Sequence, residues 1–272
     1  MAIIDLKNAT IRLWDGTVPV LTTTNTGGDD GKVLLTSVSK HHGSATPSIA
    51  LVDPGSDGAI DVSVVGKDIT VTLAYATGAI TTTATELKTA YDLVAAAVAL
   101  AVMTQVGTGA DVLEAQAITR LTGHNSIEIT IGEGNLTYTE KKTREFKLNR
   151  GLIDTVRNAD DEPMDVSFDF TWEFITSANG ASVPTVHEAL KQVAPANAWV
   201  TTADDACQPY CLDLEIVNAP SCSAVDDEGF LFEEFYYEQL DGDAKEGTVA
   251  CSGRCNRLEA TNTRFDSTVA PL

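Results

Sequence analysis

Apolar and polar residues alternate along many short stretches of the chain, which predicts a mainly β protein. The clearest stretch is Met164–Phe174, where every second residue is apolar and those between are polar or acidic. A period of two is typical of a strand with one buried face. Further strands are predicted at Ile3–Trp14, Ile127–Ile131, Leu136–Leu148, Leu212–Val217, Phe230–Leu240 and Thr248–Cys255. One helix is predicted after Pro184, with its apolar stripe at Val186, Ala189, Leu190 and Val193.

A second pattern occupies residues 17–124, which are rich in Thr, Gly, Ala and Val and contain two aromatic residues. Strict alternation at Ile60–Val64 and Ile69–Leu73 predicts a hairpin. Helical spacing over Thr83–Val106 predicts a helix capped by Thr83 or Thr85, and Ile118–Leu121 predicts a closing strand. We therefore expect an antiparallel β-sandwich or barrel with one helix, formed by residues 1–16 and 125–272, and a small α+β domain inserted at 17–124.

The charge of the chain is strongly acidic and unevenly distributed. The net charge is −21, of which residues 1–123 contribute −5 and residues 124–272 contribute −16. A surface of this kind repels phosphate and differs from the basic footprint of a nucleic-acid-binding protein. The negative charge has two interpretations: it keeps the protein soluble, or it prevents a passing partner such as DNA from binding to the surface.

Neither a signal peptide nor a membrane span is predicted. The longest apolar stretch, Leu93–Met103, is too short to cross a bilayer, and the first residues lack a basic segment followed by a long apolar one. We expect a soluble protein made in the cytoplasm.

All five cysteines lie in the last quarter of the chain: Cys207, Cys211, Cys222, Cys251 and Cys255. Two pairs are spaced i,i+4, which places each pair on one face of a strand or helix and differs from the C-x-x-C spacing of zinc and redox sites. Buried structural thiols are the favoured interpretation, and disulfides formed after release from the cell are the alternative. Because the number is odd, at least one thiol is unpaired or bonded to another chain.

No enzyme signature is present in the sequence. It contains no P-loop, no strand-linked G-x-G-x-x-G, no G-x-S-x-G and no H-E-x-x-H. Paired acids, such as Asp160-Asp161-Glu162, lie beside turn residues and lack the spacing of a calcium loop. We expect neither catalysis nor a metal or cofactor, although a Ser/His/Asp hydrolase site brought together by folding stays a third hypothesis.

Several segments, in order, resemble the tail tube (major tail) proteins of long-tailed bacteriophages. The first is Asn125–Lys142, which reads Asn-Ser-Ile-Glu-Ile-Thr-Ile-Gly-Glu-Gly-Asn-Leu-Thr-Tyr-Thr-Glu-Lys-Lys. The others are Leu148–Gly151, Asp160–Phe168, Pro184–Lys191 and Val249–Gly253. With residues 1–16 the resemblance covers a little over half of the chain. Shorter members pass almost directly from the first strand to the strand equivalent to Ser126–Ile131, whereas this chain has residues 17–124 between them. Within these, Gly58–Gly123 resembles an add-on module of phage virion proteins.

The resemblance implies a structural protein of the virion tail, made in the host bacterial cytoplasm. Six copies would join strands around a ring, and rings would stack head to tail into the tube through which DNA leaves. The implied partners are further copies of the chain, the tail terminator, tip and tape-measure proteins, and DNA in non-specific passage. No membrane is implied. An inserted domain on the outside would collide with a contractile sheath, which favours a sheathless tail.

The candidate site residues are the acids on the polar face of the Met164–Phe174 strand: Asp165, Asp169 and Glu173. In a tail tube they are candidates for the lumen wall; the alternative is that they face outside solvent. A different function, decoration of the virion surface or binding of host glycans by the insert, would be favoured by exposed aromatic clusters, and residues 17–124 hold only Tyr75 and Tyr91.

Overall fold

The computed structural model describes residues 9–25, 29–38, 40, 46–129, 136–150, 152–158, 162–171, 184–218 and 227–265. In chain order, its strands are β1 (Ala9–Trp14), β2 (Val20–Thr22), β3 (Val33–Ser37), β4 (Ser48–Val52), β5 (Asp61–Val65), β6 (Asp68–Thr72), β7 (Tyr75–Ala76), β8 (Ala79–Ile80), β9 (Ala101–Gln105), β10 (Gln116–Arg120), β11 (Ser126–Glu128), β12 (Leu136–Thr139), β13 (Arg144–Asn149), β14 (Leu152–Asn158), β15 (Met164–Thr171), β16 (Leu212–Asn218), β17 (Asp227–Asp243), β18 (Thr248–Cys255) and β19 (Thr261–Phe265). The described helices are α1 (Ala84–Asp92), α2 (Ala95–Leu100) and α3 (Val186–Lys191).

The described residues divide into two compact units. Residues 9–16 and 125–265 form the first, which we call the frame, and residues 17–124 form the second, the insert. The division falls between Gly16 and Thr17 and between His124 and Asn125. Each unit has its own hydrophobic core.

The insert packs small sheets against two short helices. One sheet has the order β10-β4-β6-β5, in which β4 and β6 are parallel, and another has the order β2-β3-β9. Helix α1 begins at a capping box: Thr83 accepts a hydrogen bond from the Glu86 N–H, and the Glu86 carboxylate accepts one from the Thr83 N–H. Tyr91 is fully buried, and its hydroxyl donates to backbone oxygens of Ala97 and Ala101.

The predicted helix over Thr83–Val106 is wrong in its last part, where the chain forms strand β9. There Ala101 and Met103 are buried while Val102 is half exposed, so burial follows a period of two. The partner of β9 is β3, with Leu35 opposite Met103. The sequence pattern predicts no strand at β3, and without a partner the helical spacing of Val94, Val98 and Val102 extends the predicted helix into this stretch.

The frame consists mainly of one antiparallel sheet with the strand order β11-β1-β16-β17-β18-β15-β12, and β19 pairs with the first part of β17. Its best-predicted strand is β15, where Met164, Val166, Phe168 and Phe170 are buried and the residues between them are partly exposed. Helix α3 follows a capping box formed by Thr185 and Glu188. It adds Val186, Ala189 and Leu190 to the same core.

The long strand β17 bends at a β-bulge. Leu214 lies opposite Phe232 and Leu212 opposite Phe235, so that Glu233 and Glu234 together face the single residue between Leu212 and Leu214. Glu234 has a left-handed backbone, with φ of 53°, and its N–H donates to the Asp213 carboxylate at 2.8 Å. Before the bulge β17 lies between β16 and β19; after it, the strand pairs with β18.

The bend lets the sheet fold over its own core. The ring of Tyr138 on β12 lies 5.1 Å from the ring of Phe232 on the first part of β17. In a flat sheet these strands, three positions apart, would be separated by about 14 Å, given a strand spacing of about 4.8 Å. The β12 end of the sheet therefore lies against the first part of β17 across the core. The mainly β, antiparallel class is confirmed, and the described strands form no closed barrel.

The predicted strand Leu136–Leu148 is wrong as a single element. The chain leaves the sheet after Thr139 and begins β13 at Arg144. Among the described strands, β13 pairs with β14 alone, as a hairpin. Polar residues at 140–143 end the alternation that β12 needs to stay on the core.

The two ends of the frame that flank the insert are bonded to each other. The Asp15 side chain, fully buried, accepts hydrogen bonds from the Asn125 N–H at 2.9 Å and from the Asn125 side-chain amide at 2.8 Å. It also accepts from the Val200 N–H at 3.2 Å. The frame thus closes at this position through its own residues, which is the geometry expected for an inserted domain.

We predict that the frame folds when residues 17–124 are replaced by a single glycine. Gly16 and the added glycine would form a two-residue hairpin loop between Asp15 and Asn125. Gly16 is kept because a Cβ there would lie 1.9 Å from the Thr201 carbonyl oxygen. Circular dichroism should show a β spectrum and a cooperative thermal transition. In the shortened chain, Asp15→Ala should lower the unfolding free energy by about 2–3 kcal/mol, since buried donors lose their acceptor. Insoluble or unfolded product from the shortened chain would contradict this division.

Candidate assembly surfaces

The face of β12, β15 and β18 that points away from the core is almost entirely polar. Strand pairing places these residues side by side in three rows: Thr137 and Thr139; Asp165, Ser167, Asp169 and Thr171; Thr248, Ala250, Ser252 and Arg254. We call them the polar face. Hydroxyl groups dominate it, and Thr137 and Ser167 are hydrogen-bonded at 2.7 Å. A depression of about 250 Å³ lies over the part of this face that holds Asp165, Ser167 and Arg254.

Two of the three predicted site residues lie on the polar face. Asp165 and Asp169 are partly exposed on β15, as the alternation predicts. Glu173 lies outside the described residues. Strand pairing brings Asp165 beside Arg254, and Asp169 beside Ala250.

Asp165 is an ion-paired acid. Its carboxylate lies 2.9 Å from Lys141 Nζ and 3.2 Å from Arg254 Nε. The hydrogen bond from Lys141, helped by both positive charges, holds the pKa of Asp165 below its ordinary value, although burial opposes this. Arg254 also lies 3.7 Å from Glu238. The polar face is therefore a mixed-charge surface, since Arg254 on β18 and Lys141 in the segment after β12 supply cations that the β15 sequence alone does not show.

Two strand edges beside the polar face have no strand next to them. β12 is the last described strand of the sheet, so its outer edge is free. The second free edge belongs to β17. Its neighbour β16 ends at Leu212, opposite Phe235, and no described strand lies on that side of β17 beyond this point. β17 then continues to Asp243, paired on its other side with β18. The four-stranded segment β17-β18-β15-β12 thus presents unpaired backbone groups along both margins among the described residues.

The β13–β14 hairpin has an exposed apolar face. Phe146 lies opposite Val156, and Leu148 is two residues along the same side of β13. These side chains are 58%, 52% and 66% exposed, respectively. Exposed apolar side chains clustered on one face indicate a surface that a partner covers. The alternation over Leu136–Leu148 predicts most of β13 as part of a longer strand, and the sequence pattern does not predict β14 as its partner.

The four described cysteines are free thiols. Cys251 and Cys255 are buried on one face of β18, as their spacing predicts. For the other pair the prediction of a shared, buried face is wrong: Cys207 is exposed and Cys211 is buried. Residues 201–211 form neither strand nor helix, so the spacing fixes no common face there. Cys222 lies outside the described residues.

Acids at the bulge in β17 have structural partners. Arg257 lies 2.9 Å from Asp204, 3.2 Å from Glu233 and 3.5 Å from Glu234. Desolvation raises the pKa of Glu233, and the Arg257 charge opposes that shift. Within the described ranges, no group of three or more His, Cys, Asp or Glu side chains is placed to hold a metal ion.

The two aromatic residues of the insert do not form the exposed aromatic cluster that would favour glycan binding. Tyr91 is part of the core, and Tyr75 is half-buried. No helix in the described part of the chain is both long and apolar enough to cross a membrane.

Comparison with known protein families, with curated proteins and with solved structures finds no match to the chain.

We predict that the thiols differ sharply in reactivity. Burial raises the pKa of both Cys251 and Cys255 to about 12, so at pH 8 almost none of either thiol is ionised. Iodoacetamide should modify exposed Cys207 in the native protein and modify Cys251 and Cys255 about a thousandfold more slowly, until the protein is unfolded. Peptide mass spectrometry measures each site. Equal labelling of all three without denaturant would contradict the placement of β18 in the core.

Proposed function

We propose that this chain is a structural subunit of a bacteriophage tail tube, which forms rings that stack into the conduit for DNA. The observation that carries the proposal is the four-stranded segment β17-β18-β15-β12, which has an apolar face on the core, a polar face on the outside and, among the described residues, an unpaired strand edge at each margin. The sequence resemblance to tail tube proteins supports the same function.

Unpaired strand edges at both margins suit a subunit that binds further copies of itself head to tail. A free edge is a template for pairing with another strand, and monomeric proteins usually protect it. If the β12 edge of one copy pairs with the β17 edge of the next, the contact is head-to-tail, and a fixed rotation between copies closes a ring. We propose six copies per ring, from the resemblance. Closure would satisfy the backbone groups at both margins.

In such a ring the polar face is the proposed lumen wall. Its hydroxyl groups are small and neutral, and its cation Arg254 is paired with Asp165 and Glu238. Lys141, beside it, is paired with Asp165 and Glu162. Duplex DNA therefore meets few cations able to displace counterions from its phosphates, which keeps it mobile. Asp169 adds repulsion along the same wall.

The remaining parts of the proposal come from the resemblance to tail tube proteins and from this placement. Copies of the chain are the main partners, with tail terminator, tip and tape-measure proteins at the ends and inside the tube, and DNA as a transient passenger. The insert, with residues 17–124, is too large for a channel that passes duplex DNA, so we place it on the outer surface. That favours a sheathless tail.

Two neighbouring proline variants test the edge pairing. Asp241 and Gly242 are both exposed residues of the second part of β17 and lie opposite Ala250 and Val249. Successive N–H groups of a strand point to opposite sides, so one residue donates toward β18 and the other toward the free edge. Proline at the residue whose N–H donates toward β18 should destabilise the monomer by about 1–3 kcal/mol. Proline at the residue whose N–H points toward the free edge should leave the thermal midpoint near that of the parent and abolish ring formation.

Negative-stain electron microscopy and analytical ultracentrifugation of the purified protein measure assembly. The parent chain should give rings or tubes, and Asp241→Asn serves as the control for the lost charge. The proposal is wrong if the parent stays monomeric at concentrations of about 100 μM, well above those expected for a specific interface. It is also wrong about this edge if both proline variants fold and still form rings.

A further inference from the structure

Four charged side chains form a row across the polar face, from one margin of the four-stranded segment to the other. Lys141, just after β12, lies 2.9 Å from Asp165 on β15. Asp165 lies 3.2 Å from Arg254 on β18, and Arg254 lies 3.7 Å from Glu238 on β17. We call these four residues the charge row. Its signs alternate, so it has a cation at the β12 margin and an anion at the β17 margin.

Both end residues can bind a further partner. The ammonium group of Lys141 has three N–H donors, and its described partners are Asp165 and Glu162. The carboxylate of Glu238 can accept several hydrogen bonds, and its described partner is Arg254. The two end side chains are 43% and 57% exposed. Each end of the row is therefore accessible to an opposite charge on another molecule.

The β12 end of the charge row is displaced along the strands. Thr139, the last residue of β12, lies opposite Asp165. Lys141 comes two residues later, and its second partner, Glu162, precedes β15. The cation therefore lies about two residues from the level of Asp165, toward the end of the sheet at which β15 begins.

The β17 end is displaced in the opposite direction. Arg254 lies opposite Tyr236, and the next two residues toward the start of β18 lie opposite Tyr237 and Gln239. Glu238 is the extra residue of the bulge between them. It therefore lies between one and two residues from the level of Arg254, so the row runs at a slant across the strands.

The slant matches the tilt of strands in a closed barrel. A displacement of about 3.5 residues corresponds to about 11–12 Å, and the row crosses three strand spacings, or about 14 Å. The row thus lies about 40° from the perpendicular to the strands, and barrel strands tilt by about 35–45° from the axis. A row with this slant runs level around a barrel if it slopes in the correct sense.

The sense of the slope is also correct. The Met164 N–H donates to the Arg257 carbonyl oxygen, on the side of β18, so the backbone groups of the next residue, Asp165, face β12. For L-residues this places β12 to the right of β15, seen from the polar face with β15 running upward. In this view the row descends from Glu238 to Lys141. The normal twist, with this face inside a barrel, leans the strands to the left and makes the row level.

We propose that Lys141 of one copy pairs with Glu238 of the next copy around the ring, which joins the charge rows of all copies into a closed belt of alternating charge. This rests on the proposed function, because it needs the β12 edge of one copy beside the β17 edge of the next. Copies in a cyclic ring lie at the same height, so a level row brings its two ends together at every contact between copies.

The belt fixes the register of that contact. Backbone pairing permits several registers, because a slip by two residues keeps every side chain on its face. Charged side chains distinguish these registers, since meeting opposite charges is favourable and meeting like charges is not. The competing acid on the same strand is Asp241, which accepts a hydrogen bond from Gln239 at 2.6 Å. A slip that brings Lys141 to Asp241 displaces each copy along the axis and gives a spiral in place of a ring.

The test mixes two variants that assemble poorly alone. Lys141→Glu makes both ends of the row negative, and Glu238→Lys makes both ends positive. Each should need about a tenfold higher concentration than the parent to form rings. Mixed in equal amounts, they should assemble like the parent, because every contact in an alternating ring joins opposite charges. A defect confined to one copy, such as a weakened monomer, cannot be repaired by mixing.

The matched control is Asp241→Lys, which makes the same change in charge on the same strand. It should form rings like the parent and should not rescue Lys141→Glu. Analytical ultracentrifugation measures assembly at about 50 and about 500 mM NaCl, and the differences should shrink at the higher salt. Circular dichroism confirms that each variant is folded. Normal assembly of either single variant, no rescue on mixing, or rescue by the control would overturn the inference.

A linking experiment measures the register without changing its charges to the opposite sign. In a chain with Cys207→Ser, Lys141→Cys and Glu238→Cys should be joined between copies by a short bismaleimide, giving a ladder of linked chains on a gel. The pair Lys141→Cys and Asp241→Cys should be joined more slowly. Faster linkage of the second pair would overturn the inference, even if the charge variants fail to fold.

Failure of the proposed function gives a different result. If the parent forms rings but the variants and the linkage contradict the expected pairing, the belt falls and the ring proposal stands. If the parent forms neither rings nor tubes, both fall.

Discussion

The frame depends on one strand taking part in two halves of a folded sheet. β17 pairs with β16 and β19 before its bulge and with β18 after it. The bulge is held by the Asp213 carboxylate, which accepts from the Glu234 N–H, and by Asn256, whose side chain donates to the Glu234 carboxylate at 2.7 Å. These bonds offset the cost of a left-handed backbone at a residue with a side chain.

Two features at the bend determine the surfaces of the frame. The bend brings Tyr138 against Phe232 and so encloses the core. Directly after the bulge, β17 continues beyond Leu212, where β16 ends, and among the described residues it has an unpaired edge there, beside the polar face. The free margin on which the proposed assembly depends thus begins at the bulge that closes the core.

The sequence predicts those strands that bury one face and expose the other, and those helices that begin with a recognisable capping motif. β15 is visible because its four buried residues alternate with polar ones, and α1 is visible because Thr83 and Glu86 form a capping box. β3 and β9 are not visible in the sequence, because their alternation is short and their pairing joins residues about 70 positions apart. Pairing over such separations leaves no local pattern, and the helical spacing of Val94, Val98 and Val102 then misleads at Ala101–Gln105.

The candidate site is predicted in part for the same reason. Alternation places Asp165 and Asp169 on a common exposed face. It cannot show that Lys141 and Arg254, which lie on other segments, pair with Asp165. Nor does it show unpaired edges, which are a property of strand order.

The most direct test of the account is an electron cryomicroscopy map of assemblies formed by the purified full-length chain. The account predicts a hollow tube of stacked rings in which β12 of one copy pairs with β17 of the next. The polar face, with Asp165 and Asp169, should border the channel, and the insert should form separate density on the outer surface. Tubes in which those acids lie on the outer wall, or in which neighbouring copies meet through other strands, would contradict it.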